Sequence, residues 1–251
     1  MPDSSPKVAL CVGINYVDAA PAIPALRFAE PDAREMASLL QERGFQVTTL
    51  LGAAATRRAI LQSLQALAQQ PANLCILYFS GHGMHGTGVL DQDRAYFVPY
   101  DLDPADSGLG VALIDLAAAL EARFRATSAF ALFDCCYAGT IAAVAIDPTV
   151  AAQNWRQNLQ LQSGGTGRAV AVPDGAAVPA ATPGCRALIA ACPANVEARE
   201  WADLQHGVMT YYALLGWQGK AADPSSGEIT DGGLYGYISH ELQRLQLPPL
   251  A

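Results

Sequence analysis

The chain has 251 residues and a formal net charge of −8, with 51% hydrophobic and only 15% charged residues. That composition excludes a disordered tail and describes a compact globule of one large or two small domains. The acidic balance offers no basic stripe for phosphates, and no apolar run approaches the ~20 residues that span a bilayer. Neither nucleic acid nor membrane is therefore an expected partner, and a cationic substrate fits better. The start, MPDSSPKVALCVG, has no basic segment leading into an apolar one, so a cytoplasmic location is expected.

Lys7 to Asn15 reads as a buried strand, and Pro31 to Arg43 places Ala33, Met36, Leu39 and Leu40 on one face of a helix that Gly44 stops. Gln46 to Leu50 reads as the next strand. Thr56 is a candidate N-cap for a helix whose Ile60, Leu64 and Leu67 form one stripe. LCILYF, Leu74 to Phe79, is the most continuous apolar run, which predicts a central strand buried on both faces. Tyr96 to Val98 is a short strand candidate, Ala112 to Arg125 a helix, and Ala129 to Phe133 a second central strand. After a gap come a strand candidate at Ala187 to Ala191 and helical segments near Met209 to Trp217 and Leu234 to Leu245. Strands alternating with helices predict an α/β fold, with a mostly parallel central sheet covered by helices on both faces.

The gap from Ser163 to Gly184 is rich in Gly, Pro, Ala and Val without periodicity and reads as a flexible linker. It divides the chain into a larger portion, 1–162, and a smaller one, 185–251, that completes the same domain. The six cysteines (Cys11, Cys75, Cys135, Cys136, Cys185 and Cys192) lie mostly in apolar runs, which favours reduced core thiols over disulfides.

Ligands of open parallel sheets bind beyond the carboxyl ends of the strands, so the turns after the two most apolar strands carry the most information. The first is Ser80-Gly81-His82-Gly83 and the second Asp134-Cys135-Cys136-Tyr137-Ala138-Gly139. Each pairs a reactive side chain with glycines that let a substrate backbone approach. A thiolate attacks a carbonyl only if a neighbour takes its proton, and His82 is the base expected beside Cys136. His85 falls in the following loop, and His206 and His240 in the polar C-terminal part. The backbone N–H groups of Gly83 and Cys136 are the expected oxyanion donors, each typically contributing ~2.7–4 kcal/mol to lowering the barrier. His82 and His85 with Cys135 or Cys136 lack the paired spacings of a zinc site, and no metal is expected.

SGHG after one strand, followed 54 residues beyond its His by a strand and DCCYAG, resembles the caspase-like cysteine peptidases, and among them metacaspases and their prokaryotic relatives. The spacing agrees with the His about 50 residues upstream of the nucleophile that caspases are known for. VGINY, ALRFAEPDA, LIAACPAN and GVMTYYALL extend the resemblance over most of the chain. It implies a caspase-like three-layer sandwich and a dyad of Cys136 and His82. It also implies an acidic pocket of Asp32, Ser80 and Asp134 for the residue before the scissile bond (P1), hence cleavage after Arg or Lys. A fixed guanidinium fork suits two carboxylates better than an ammonium does, so Arg is preferred. Asp32 also lies in the first turn of its helix, where the dipole favours a carboxylate in any case, and Asp134 could merely cap a turn or helix.

The resemblance further implies maturation between the portions, with Arg168 and Arg156 as cleavage sites for the enzyme itself or an upstream protease. An uncut loop is the simpler alternative. Ala138 and Ala29 depart from the metacaspase pattern. Asp91, Asp93, Asp101 and Asp103 are available for calcium, but Thr140 to Ile146 contributes no carboxylate, and Ca²⁺ wants ~6–8 oxygens. Calcium independence follows as the expectation. Regulated proteolysis or a cell-death or defence response is the implied setting. The rival reading is a silent caspase-like module that binds a basic partner segment through its acidic crevice.

Overall fold

The computed structural model describes residues 6–19, 23–85, 95–103, 110–113, 116, 125–135, 186–191 and 200–245. Cys136, Arg156, Arg168 and the expected linker at 163–184 lie outside them. The N-terminal portion runs β1 (Lys7–Gly13), α1 (Ala29–Glu42), β2 (Phe45–Leu51), α2 (Arg57–Gln69) and β3 (Leu74–Ser80). Three short strands follow, β4 (Gly83–His85), β5 (Ala95–Phe97) and β6 (Val111–Ala112), and then β7 (Ser128–Asp134). The C-terminal portion supplies β8 (Arg186–Ala190), the hairpin β9 (Glu200–Trp201) and β10 (His206–Gly207), α3 (Val208–Leu215) and α4 (Asp231–Arg244).

Five strands form one parallel sheet in the order β2-β1-β3-β7-β8. The chain moves from β1 outward to β2 and then returns to β1's other side as β3. The carboxyl ends of β1 and β3 therefore border the switch point where such sheets open a crevice. A second, antiparallel sheet, β4-β5-β6, extends from the end of β3.

Strand alternation sorts side chains into two cores, one per face. Val8, Leu10, Val12, Leu77, Phe79, Ala131 and Phe133 face α2 through Ile60, Leu64 and Leu67. Ala9, Cys11, Ile76, Tyr78, Phe130 and Leu132 face α1 through Met36 and Leu40, and α3 and α4 through Met209, Ala213, Leu234 and Ile238. The caspase-like sandwich expected from the sequence is thus the architecture observed. Burial of each such Leu, Ile or Phe contributes roughly 1.5–3 kcal/mol.

Local signals act where they were read. Thr56 Oγ1 accepts from Ala59 N–H at 3.2 Å and caps α2, and α1 ends before Gly44. Of the helix expected over Ala112 to Arg125, Leu113 and Leu116 are helical, whereas Ala112 belongs to β6 and Arg125 is outside any helix, its N–H donating to the Ala68 carbonyl at 2.9 Å. A Cβ on Gly13 would lie 2.3 Å from the Ala29 carbonyl oxygen, so this glycine lets α1 sit directly on the end of β1. That contact sets the position of the first turn of α1, which carries Asp32.

Candidate active site at the carboxyl ends of β3 and β7

The register pairs Ser80 with both Gly13 and Asp134, so the ends of β1, β3 and β7 are level. Two residues past Ser80 stands His82, half-buried and held at three points. Its N–H donates to Tyr16 Oη at 2.9 Å, its carbonyl accepts from Val98 N–H at 3.0 Å, and Nε2 lies 2.8 Å from the Pro24 carbonyl oxygen. A carbonyl can only accept, so Nε2 carries the hydrogen and Nδ1 of the neutral ring keeps its lone pair. The Tyr16 ring lies 4.8 Å from the imidazole, and its hydroxyl donates to the Val98 carbonyl at 2.7 Å. Tyr16 adopts a φ of 58°, a left-handed conformation uncommon for a residue with a side chain.

The Val98 N–H bond to the His82 carbonyl fixes which pairs of the β4–β5 ladder exchange hydrogen bonds. Gly83 and Phe97 form a pair of the other kind, which directs the Gly83 N–H away from β5.

The acidic residues expected to share a pocket do converge. Asp32, in the first turn of α1, and Asp134, at the end of β7, meet around Gly207, the N-cap of α3. Asp32 Oδ2 accepts from Gly207 N–H at 2.9 Å. Asp134 Oδ2 accepts from Thr210 N–H at 3.2 Å and from its hydroxyl at 2.5 Å. Gly207 has no side chain to cap its own helix, and Asp134 serves in its place. A Cβ there would lie 2.4 Å from Asp134 Oδ2 and 3.1 Å from Asp32 Oδ2. The partial positive charge of the helix N-terminus thus faces two carboxylates. Ser80 is buried beside them, and Tyr78 Oη lies 2.7 Å from Thr210 Oγ1.

This acid pair is stored away from water. Burial first, and then the neighbouring Asp32, push the Asp134 carboxyl up to about 7. Burial likewise raises Asp32, against the lowering effect of its hydrogen bonds to His206 and Gly207. Glu200 adds negative charge nearby, and its own carboxylate accepts from Arg27 N–H at 2.9 Å and Phe28 N–H at 2.7 Å, capping α1 from the C-terminal portion.

Sequence reasoning passed over His206, whose Nδ1 lies 2.5 Å from Asp32 Oδ1 and whose Nε2 lies 3.5 Å from Glu35. It also passed over Tyr16 and Thr210, although VGINY and GVMTYYALL had been marked as family-like. Cys136, outside the described residues, follows Asp134 by the same two residues that separate His82 from Ser80. Cys135 is fully buried in the core on the α2 side of the sheet. Of the candidate calcium ligands, Asp101 Oδ1 accepts from Arg57 N–H at 2.7 Å at the start of α2, and Asp91 and Asp93 are outside the described residues. Among the described residues no group of three or more His, Cys, Asp or Glu side chains is disposed to hold a metal ion, and no helix is long and apolar enough to cross a membrane.

The profile of the caspase domain matches residues 6–229, and the chain belongs to that family of cysteine-peptidase-like proteins. Among solved structures, it is similar to the crystal structure of protein GSU0716 from Geobacter sulfurreducens, with a TM-score of 0.60 and 22% identity over 94% of this chain and 89% of that one. That likeness is one of fold. No curated protein matches the chain.

Proposed function

We propose that this protein is a cysteine endopeptidase that cleaves after basic residues, Arg in preference to Lys, using Cys136 as nucleophile and His82 as general base. The observation that carries the reading is the tether of His82 Nε2 to the Pro24 carbonyl, which leaves Nδ1 as the proton acceptor. The level ends of β3 and β7 add support. Adjacent strands run about 4.8 Å apart, His82 follows the end of β3 by two residues, and in the sequence Cys136 follows Asp134 by the same interval.

In this scheme Nδ1 takes the Cys136 thiol proton and the thiolate attacks the scissile carbonyl carbon. The resulting oxyanion accepts from the N–H groups of Gly83 and Cys136. As the tetrahedral intermediate collapses, the Nδ1 proton passes to the departing amine and a thioester remains. Water, deprotonated by the same nitrogen, hydrolyses the thioester and returns the thiol. The Pro24 carbonyl supports the imidazolium without itself changing charge.

Asp32 and Asp134, with Ser80, are the P1 pocket of this proposal. At neutral pH the pair lacks a full complement of negative charge because Asp134 titrates near 7. A guanidinium entering between them restores ionisation, each charged hydrogen bond adding ~1.5–3 kcal/mol. The reaction needs no cofactor, and calcium is not required. The setting we favour is regulated proteolysis, in a cell-death or defence response, with Arg168 or Arg156 cut during maturation by the enzyme itself or an activating protease.

Fluorogenic peptides with Arg, Lys or Asp at P1 test the reading on wild type and Cys136→Ala, with and without calcium. Arg cleavage is expected to exceed Lys, Asp cleavage to be absent, and the substitution to remove all hydrolysis. Residual hydrolysis by Cys136→Ala would reject the nucleophile, preference for Asp would reject the pocket, and a strong calcium requirement would reject metal independence. Mass spectrometry of purified wild type should find a break at Arg168 or Arg156 that Cys136→Ala lacks.

A further inference from the structure

Asp32 has no exposed surface, and both its oxygens are engaged, Oδ2 by the Gly207 N–H and Oδ1 by His206 Nδ1 at 2.5 Å. The two partners differ in freedom. Gly207 is main chain at the N-terminus of α3 and is fixed by the helix, whereas the His206 ring can turn away about its own side-chain bonds. The His206 side chain keeps 16% of its surface exposed and that of Asp32 only 1%, which puts the ring on the solvent side of the acid. Its other nitrogen lies 3.5 Å from Glu35 Oε2, and Tyr211 packs against it with ring centroids 5.8 Å apart. The hydrogen bond to Asp32 is the main influence that raises the imidazole above its ordinary value and so favours its charged form.

A protonated imidazole aimed at a buried carboxylate offers what a guanidinium offers, an N–H donor bearing positive charge, and the 2.5 Å contact places His206 Nδ1 to do so. We propose that His206 is an internal occupant of the P1 pocket, filling the outer oxygen of Asp32 until an incoming basic side chain displaces it, and that it thereby sets specificity. The proposal rests on the basic-P1 reading above and adds its gatekeeper. Arg or Lys can release the ring because either replaces the cation that leaves. A neutral P1 side chain cannot, since it would leave Asp32 buried with its outer oxygen bare, a state dearer than the one it replaces. Discrimination then comes from a penalty on wrong substrates as well as attraction for right ones. The ring sits on the two-residue strand β10, reached from β9 through a tight turn, so only a side-chain rotation is needed.

The test compares wild type with His206→Ala and His206→Gln, using fluorogenic peptides with Arg or norleucine at P1 and benzamidine as a pocket probe. Iodoacetamide alkylation of Cys136, which needs no pocket, reports whether each variant is folded at the dyad. Removing the ring is expected to lower KM for the Arg peptide and the inhibition constant of benzamidine by about tenfold. The change should fall on KM and not on kcat, with His206→Gln between the two. His206→Gln also stands in if His206→Ala fails to fold. A residue that merely braces the hairpin would instead raise KM for both peptides alike. An unchanged or raised KM for Arg, in a variant that alkylates normally, would overturn the gatekeeper while wild-type preference for Arg leaves the pocket standing. Wild type that cleaves norleucine and Arg peptides equally well and ignores benzamidine overturns the pocket and the gatekeeper together.

Discussion

His82, just past the end of β3, and the pair of Asp134 at the end of β7 and Asp32 in the first turn of α1 are held in opposite ways. The imidazole is half-buried and bonds through Nε2 to the Pro24 carbonyl, while the main chain of His82 is held by the Tyr16 hydroxyl and the Val98 N–H. The carboxylates are buried and lean on a helix N-terminus and a second histidine contributed by the C-terminal portion. The imidazole proposed as the general base is left half-buried beside an uncharged main-chain carbonyl. The acids proposed to meet a cationic substrate are kept dry, where an ion pair is stronger but where ionisation is costly.

The contrast is broken most severely from the imidazole side. His82→Ala should lower kcat/KM by roughly 10³-fold, within the usual range for a lost general base, and leave the thermal midpoint nearly unchanged because no charge is stranded. Equal losses of activity and stability would show that the imidazole is a fold residue. On the carboxylate side, Asp134→Asn should cost on the order of 10²-fold in kcat/KM for Arg peptides, chiefly in KM. Stability at about pH 8 should not fall with it, since the amide keeps an acceptor for Thr210 and removes a charge that burial disfavours. Gly207→Ala sharpens the comparison differently. The added Cβ meets Asp134 Oδ2 at 2.4 Å, so the helix must shift, and the chain should lose about 1–3 kcal/mol in denaturant unfolding.

Smaller effects come from pH and from Tyr16. With Asp134 raised from 3.8 to about 7, the folded chain binds more protons than the unfolded one between those values. Its contribution to stability therefore declines as pH rises through that window. The raised His206 acts in the same direction, its contribution being lost as pH climbs through its folded value. Asp134→Asn should flatten the measured slope, and an unaltered slope would remove the acid from that role. KM for Arg peptides should run the other way and fall from about pH 6 to 8, as Asp134 ionises. Tyr16→Phe removes the acceptor for the His82 N–H and a donor to Val98, and an approximately tenfold loss in kcat with KM unmoved is expected for a residue that only positions the base.

Much of this was legible in the residues. LCILYF fills both faces of β3, as its lack of alternation requires, and Thr56 caps α2 through its own hydroxyl. The convergence of Asp32 with Asp134 was legible only through the family-like motifs, since local signals alone explained Asp32 as a helix-start carboxylate. It is a helix-start carboxylate that also meets Asp134 around Gly207. Asp134 does cap a helix, but one that begins 74 residues later, at Val208. His206 stayed hidden because β9 and β10 are two residues each, too short for any period, and because its partner Asp32 is 174 positions away. Tyr16 escaped for a related reason: a tyrosine after a buried strand reads as core, and its role depends on a hydroxyl 2.9 Å from a main-chain N–H that the sequence does not reveal.

The start of α3 also bears on when the pocket comes into being. A nascent chain that has left the ribosome only through β7 already owns Asp32 and Asp134, yet lacks the main-chain N–H groups and the imidazole that make their burial tolerable. Before Gly207 and Thr210 are made, burying the two acids together would leave them without these donors, a costly state. On the proposed reading, selectivity for a basic side chain is therefore acquired only after the imidazole of His82 and the strands around it are already made.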